Sequence, residues 1–316
     1  MTTAKRTTRI APSPTGALHL GNARTFLINA ALASQNQWRS VMRIEDLDGP
    51  RIKPGATDQT IDILAWLGIE CDGPPLVQSR DGAPYAAALQ HLAAKGNVYP
   101  CDLSRKDILL AASAPHAEEK TPPFPPSLRP PGAGTPQEVA FPLGSHWRLI
   151  VPSESITFHD QIAGSVTFCP ADETGDFVIW TVSGIPAYQL SVVVDDARAG
   201  VTDVVRGDDL LESTARQILV ARMLDVPLPK YWHVPLVLGP DGRRLAKRHG
   251  DTRLCTYRDQ GVDVTRIIGL IATWSGILTT PEPMSAQDFQ DSFSLPALPR
   301  TPITMSPQDT AWLTGD

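Results

Sequence analysis

Arg9-Ile-Ala-Pro-Ser-Pro-Thr-Gly16 runs into His19-Leu-Gly-Asn22 and then into an apolar stretch, Ala23 to Ala33. Ile10 to Pro14 reads as a strand end, Gly16 as a turn, and the run to about Ala33 as a helix. A turn of this kind aims backbone N–H groups and a helix N-terminus at an anion. His19 adds a donor where phosphate charge would develop, and Gly21 allows close backbone approach. More than two hundred residues downstream, Arg243-Arg-Leu-Ala-Lys247-Arg248 reads as a basic loop suited to neutralising a polyphosphate. Each segment alone has a bland reading, a common α/β turn and a solvated charged loop. In this order and at this spacing they define a nucleotide site.

The intervening chain has the grammar of strand, helix, strand, insertion, strand, helix, which is that of a split Rossmann-type parallel sheet. Trp38 to Ile44 reads as a buried strand ending in Glu45-Asp-Leu-Asp48. Asp58 to Leu67 and Tyr85 to Lys95 read as amphipathic helices. From Tyr99 to about Ile185 the chain turns to proline-rich loops and short strands, His146 to Val151 and Ser165 to Phe168 among them. Tyr188 to Val194 reads as an apolar strand capped by Asp195-Asp196, Asp203 to Gly207 as a strand, and Ser213 to Leu224 as a helix. The remainder reads as helical pieces, Thr265 to Trp274 and Ala286 to Asp291. The expected divisions are 1–98 and 186–240 as the two halves of the catalytic sheet, 99–185 as an inserted domain, and 241–316 as the basic loop and a helical C-terminal region.

With 316 residues the chain can bury a full core. The net charge of -6 does not advertise a nucleic-acid binder, although a local basic face can serve one on an acidic protein. Four scattered cysteines without a CxxC pair read as reduced thiols. A short polar N-terminus and the lack of an apolar run of membrane-spanning length lead to the expectation of a soluble, cytoplasmic monomer. Thirty prolines concentrate between Pro115 and Pro142, read as a surface excursion, and between Pro281 and Pro307, read as a loose connection.

Functional groups of a parallel sheet gather at the carboxyl ends of its strands, where Arg9 with Ser13, Glu45, Tyr188 and Arg206 are expected. A ligand carrying an ammonium and two carboxylates needs a carboxylate partner, arginines able to pair bidentately, and hydroxyl donors. Glu45, Arg9 with Arg206, and Tyr188 with Ser13 supply that set. Asp46, Asp48 and the Asp195-Asp196 pair are read as capping groups.

Arg9 to Asn22 and the Lys247 loop resemble the HIGH and KMSKS signatures of class I aminoacyl-tRNA synthetases. Arg43-Ile-Glu-Asp-Leu-Asp-Gly-Pro-Arg51, Ala187 to Asp196, Gly200 to Gly207, Thr214-Ala-Arg-Gln217 and Tyr231-Trp-His-Val-Pro235 look like the glutamyl-tRNA synthetase core. Only 69 residues follow Lys247, too few for the large helical anticodon-binding domain of a full enzyme. With the wording Leu47 and Gly49-Pro50-Arg51, the chain resembles the truncated paralogs, the glutamyl-Q tRNA(Asp) synthetases. That resemblance implies activation of glutamate with ATP and Mg²⁺, then its transfer to the queuosine base of the tRNA(Asp) anticodon loop. By matching position it implies that Arg9, Ile10, Ala11, Pro12, Ser13, Glu45, Tyr188 and Arg206 hold glutamate. It further implies that His19, Gly21, Asn22 and Lys247 serve ATP, with His19, Asn22 and Lys247 catalytic.

Two departures from the family pattern stand out. Its zinc ligands, a Cys-x-Cys pair and a later Tyr-x-x-x-Cys followed by Arg, are reduced here to Cys101. Leu103, Phe124 and Leu128 occupy the other places, with Arg129 kept, so the expectation is an apolar cluster and no zinc. A rescue of the site by His116 is not expected. Ala246 stands where the family loop has Ser, which implies reduced rather than abolished activity. Two alternatives stay open: a minimal glutamyl-tRNA synthetase charging tRNA(Glu), and a non-catalytic tRNA-binding relic. The whole set Arg9, His19, Glu45, Tyr188, Arg206 and Lys247 argues against decay.

Overall fold

A parallel strand followed by a helix sets the frame. In a computed structural model that describes residues 5–103, 107, 122–243, 245 and 252–315, β1 (Thr7–Ile10) leads into α1 (Leu20–Gln35). β2 (Arg39–Ile44) then lies parallel to β1, with Arg9 opposite Val41. β3 (Leu76–Val77), β9 (Asp203–Gly207), β10 (Lys230–Val234), β6 (Ile156–Asp160) and β7 (Gly164–Phe168) complete a sheet of order β3-β2-β1-β9-β10-β6-β7. All pairings are parallel except the β6–β7 hairpin. The chain leaves β1 toward β2 on one side, and later leaves β9 toward β10 on the other. The crevice for a ligand therefore opens between the carboxyl ends of β1 and β9.

Successive strand residues face opposite sides of the sheet. Ile10, Ile44, Val205 and Val234 point to a core shared with Leu27, Ile28 and Leu32 of α1. Val204 and Tyr231 point the other way, into a second core with Leu190, Val193, Ile218 and Leu219. Those last four lie on the helices Tyr188–Arg198 and Leu211–Met223.

Tyr188–Arg198 is the main correction to the sequence reading, which made Tyr188 to Val194 a strand. Its β-branched run, Val192-Val-Val194, carries the local preference for extended backbone. Every residue from Gln189 to Asp196 is buried between the sheet and neighbouring elements, and that packing overrides the preference. The helix also ends the reading of Asp195-Asp196 as turn caps: both acids are buried in its last turns.

A second sheet, β4 (Val98–Cys101), β5 (His146–Leu149) and β8 (Phe177–Trp180), is antiparallel in the order β4-β5-β8. The stretch 99–185 thus serves both sheets, because β6 and β7 extend the large one at β10. Gly175, at φ +63, lets Phe124 cross the chain: a Cβ there would lie 2.0 Å from the Phe124 carbonyl oxygen.

The region from Pro281 to Pro307 is not loose. Phe289, Phe293, Leu298 and Met305 are buried against α1 and the helix Val264–Trp274, and β12 (Ile303–Thr304) pairs with β11 (Val237–Leu238). Gly269 permits the closest approach: any side chain there would meet the Glu282 carbonyl oxygen at 1.8 Å. Among the described residues no helix is long and apolar enough to cross a membrane.

Candidate active site

Four strands carry a basic residue one place before their carboxyl end: Arg43 on β2, Arg9 on β1, Arg206 on β9 and His233 on β10, with Asp160 closing β6. Strand register and alternation put all five on the face covered by Tyr188–Arg198 and Leu211–Met223. They form a polar row of which Arg9 and Arg206 line a cavity of about 280 Å³. Arg9, Ala11, Glu45, Tyr188 and Arg206 line that cavity together with His19, Gly21, Asn22 and Asp209. The structure thus unites residues that are remote in sequence.

The row is held by buried charge pairs. Asp196 pairs with Arg43 and, at 3.4 Å, with Arg9 Nε. Arg9 Nη1 donates to the Val205 carbonyl at 3.0 Å, which ties β1 to β9 beside the crevice. Arg43 Nη2 and Nε reach Glu45 Oε1 at 2.9 and 3.3 Å. Both bonds use Oε1, which leaves Oε2 for a ligand cation. Dehydration lowers the Arg9 pKa and the Asp196 carboxylate opposes that shift. Asp196 is itself dehydrated, but Arg43 and Arg9 outweigh that and hold its carboxyl below the ordinary range. Dehydration, then the Glu45 carboxylate, push the Tyr188 phenol upward, so it is a protonated donor or acceptor.

At the entrance His19 caps α1. Its Nδ1 accepts from Gly21 N at 3.1 Å, and Asn22 Oδ1 accepts from His19 N at 3.1 Å. Nδ1 being an acceptor, the neutral ring carries its proton on Nε2. Gly21 is where the ring packs, since a Cβ would stand 3.1 Å from His19 Cε1. The capped first turn of α1, with Leu20 N–H on the Thr252 carbonyl and Gly21 N–H on His19, and the imidazole then share one wall of the cavity.

Three of the predicted glutamate residues lie elsewhere. Ile10 is wholly buried in the core behind the sheet. Pro12 accepts Glu45 N–H through its carbonyl at 3.0 Å, and Ser13 Oγ donates to the Glu45 carbonyl at 3.1 Å. Their place is to brace the β2 end that carries Glu45. Asp46 accepts from Ser79 N and Oγ, and Asp48 pairs with Arg51 at 2.8 Å. Lys247, Ala246, Arg248 and His116 lie outside the described residues.

Sequence reasoning missed Arg43 as an anchor, read Asp196 only as a capping group and His233 only as part of a motif, and missed Asp160. The recurrent basic residue before each strand end was the available signal.

Cys101, Leu103, Phe124 and Leu128 come together as expected in one apolar cluster with Tyr99. Beside it, Asp176 binds Arg129 Nε and Nη2 at 2.7 and 2.8 Å and accepts from Tyr99 Oη at 2.7 Å. One thiol among apolar side chains does not fit zinc. Among the described residues no group of three or more His, Cys, Asp or Glu is placed to hold a metal.

Comparison with known proteins follows the same lines. Residues 5–293 match the family model of the class I tRNA synthetases (E and Q), catalytic domain. A glutamyl-Q tRNA(Asp) synthetase of Symbiobacterium thermophilum is 42% identical over 97% of this chain and 98% of its own. One from Rhodopirellula baltica is 46% identical over 85% and 84%. Among solved structures, the glutamate-tRNA synthetase of Elizabethkingia anophelis superposes with a TM-score of 0.83 at 24% identity, covering 98% of this chain and 70% of that one.

Proposed function

The chain belongs to the class I tRNA synthetases of the E and Q type, among the glutamyl-Q tRNA(Asp) synthetases, and from this premise we propose that it activates glutamate with ATP and transfers it to the queuosine base of tRNA(Asp). The observation that carries the reading is the pair of buried guanidiniums, Arg9 and Arg206, flanking one cavity with Glu45 and Tyr188. Glutamate has the complementary groups. Glu45 Oε2 takes its ammonium, Arg206 and Arg9 take carboxylate charge, and Tyr188 adds a hydroxyl contact.

Adenylate formation is in-line attack of the α-carboxylate oxygen on the ATP α-phosphorus, with the bond to pyrophosphate breaking. No protein nucleophile is needed, so catalysis is positioning and charge stabilisation. The α1 N-terminus, through its dipole, and His19 are assigned the phosphate oxygens that gain charge. Asn22 holds His19 in place, and Lys247 is assigned the departing pyrophosphate by its position in the basic loop. Mg²⁺ bound with ATP would neutralise phosphate charge, and phosphate oxygens and water would supply most of its ligands, since no acidic cage is present among the described residues. The enzyme works in this reading as a cytoplasmic monomer without zinc.

The test is transfer of radiolabelled glutamate to tRNA(Asp) with and without queuosine, beside tRNA(Glu). Label on the queuosine-containing tRNA(Asp) alone is expected. Label on tRNA(Glu) would make this a minimal charging enzyme, and absence of ATP–pyrophosphate exchange with glutamate would make it a relic.

A further inference from the structure

Arg206 is held from behind by a buried chain that ends on the stretch 99–185. Its Nη1 donates to Gln217 Oε1 at 2.8 Å, its Nη2 to Thr214 Oγ1 at 2.7 Å, and its Nε to His233 Nε2 at 3.1 Å. His233 Nδ1 lies 2.7 Å from Asp160 Oδ2, and both side chains are fully buried. Asp160 also accepts from Ile162 N and Ala163 N at 2.9 and 2.8 Å, and from His233 N at 3.1 Å.

We propose that Asp160 and His233 are positioning residues for the glutamate site, locking the histidine tautomer that accepts the Arg206 Nε–H and so fixing the guanidinium that receives a substrate carboxylate. The inference rests on the reading that Arg206 binds glutamate. A carboxylate surrounded by amide donors can only accept, so the proton between it and His233 belongs to Nδ1. Nε2 is then a lone pair that faces the Arg206 Nε–H at 3.1 Å and the Thr214 hydroxyl at 3.0 Å. Three of the five guanidinium donors are thereby committed, the planar group is fixed, and two N–H remain for a ligand. Dehydration lowers the His233 pKa ahead of the opposing effect of Asp160, in keeping with a neutral ring beside Arg206.

Asp160→Asn separates this role from bulk stability because it keeps the shape. The Ile162 and Ala163 amides retain the side-chain oxygen, which turns the new NH₂ toward His233 Nδ1. The histidine proton must then move to Nε2, where it opposes the Arg206 Nε–H. A hydrogen bond to a charged group contributes about 1.5–3 kcal/mol, so the glutamate KM in ATP–pyrophosphate exchange should rise roughly 10- to 150-fold. The ATP KM should stay within about twofold, since His233 lies on the sheet face opposite the one that α1 covers. His233→Gln, whose carbonyl can occupy the Nε2 place, should keep the glutamate KM near wild type. Nitrogen-15 NMR of the histidine rings should find Nε2 of His233 unprotonated in the wild type and protonated in Asp160→Asn. An unshifted glutamate KM in Asp160→Asn, an equal rise for ATP, or a wild-type His233 protonated on Nε2 would overturn the proposal. Failure of the wild type to exchange with glutamate would instead remove the functional reading, while the NMR measurement still decides the tautomer.

Discussion

Asp196→Asn removes one negative charge from between two buried guanidiniums and keeps the side-chain shape. Arg43 retains Glu45 as a counter-charge, but Arg9, only 4% exposed, loses its carboxylate and keeps just the Val205 carbonyl. Breaking a buried pair costs about 3–5 kcal/mol, and the surviving Glu45 contact argues for the lower end, about 3 kcal/mol. In a chain of this size each kcal/mol moves the melting temperature by about 1.5–2 °C, so calorimetry at pH 7 should find a fall of roughly 4–6 °C. The Asp196 pKa is depressed in the folded state, so its contribution is present above the ordinary carboxylate value and is lost as pH falls through the folded value. The gap between wild type and variant should therefore begin to narrow below about pH 4 and close only below the folded value. Adding Arg9→Met removes the orphaned charge, and the double variant should lose less than the sum of the single losses. A variant melting within about 1 °C of wild type, or strictly additive losses, would refute this account of the charge row.

Lys247→Ala should slow ATP–pyrophosphate exchange by roughly 100-fold or more with an unchanged circular dichroism spectrum; an unaffected rate removes that lysine from the mechanism. Gly175→Ala places a methyl 2.0 Å from the Phe124 carbonyl at a positive φ, and should destabilise by at least about 2 kcal/mol in thermal melts. Plasma emission of the purified protein should find less than about 0.1 zinc per chain, and a chelator should leave its melting temperature unchanged, since one thiolate cannot make a structural site. Ala246→Ser should raise the exchange rate by a few-fold if the loop hydroxyl contacts phosphate, and equal rates would show the hydroxyl to be irrelevant.

Much of the frame was legible because its signals are local. The strand Asp203–Gly207 and the helices Ala56–Trp66 and Ala286–Ser292 follow period and punctuation within a residue or two. The helix Tyr188–Arg198 was not legible, because three consecutive valines favour extended backbone and only burial on several sides reverses that. The Pro281 to Pro307 region looked loose for a similar reason: proline density shows where regular structure stops, not whether Phe289 and Phe293 find a core.

The site divides along the same line. The sequence by itself determined which chemistry is present: a histidine with a glycine beside it ahead of a helix, arginines at strand ends, a glutamate after β2, and a single cysteine, Cys101, where the resembled family pattern has a set of zinc ligands. These are properties of short segments, and segment order is enough to recognise them. Tertiary structure alone decided what those groups do for one another. It made Ser13 and Pro12 braces for Glu45 rather than cavity walls, made Asp196 the counter-charge of Arg9 and Arg43, and brought Asp160 to His233 on the neighbouring strand. Hydrogen bonds and ion pairs act over a few ångströms, and only parallel strand register sets which residues, up to about two hundred positions apart, come within that range.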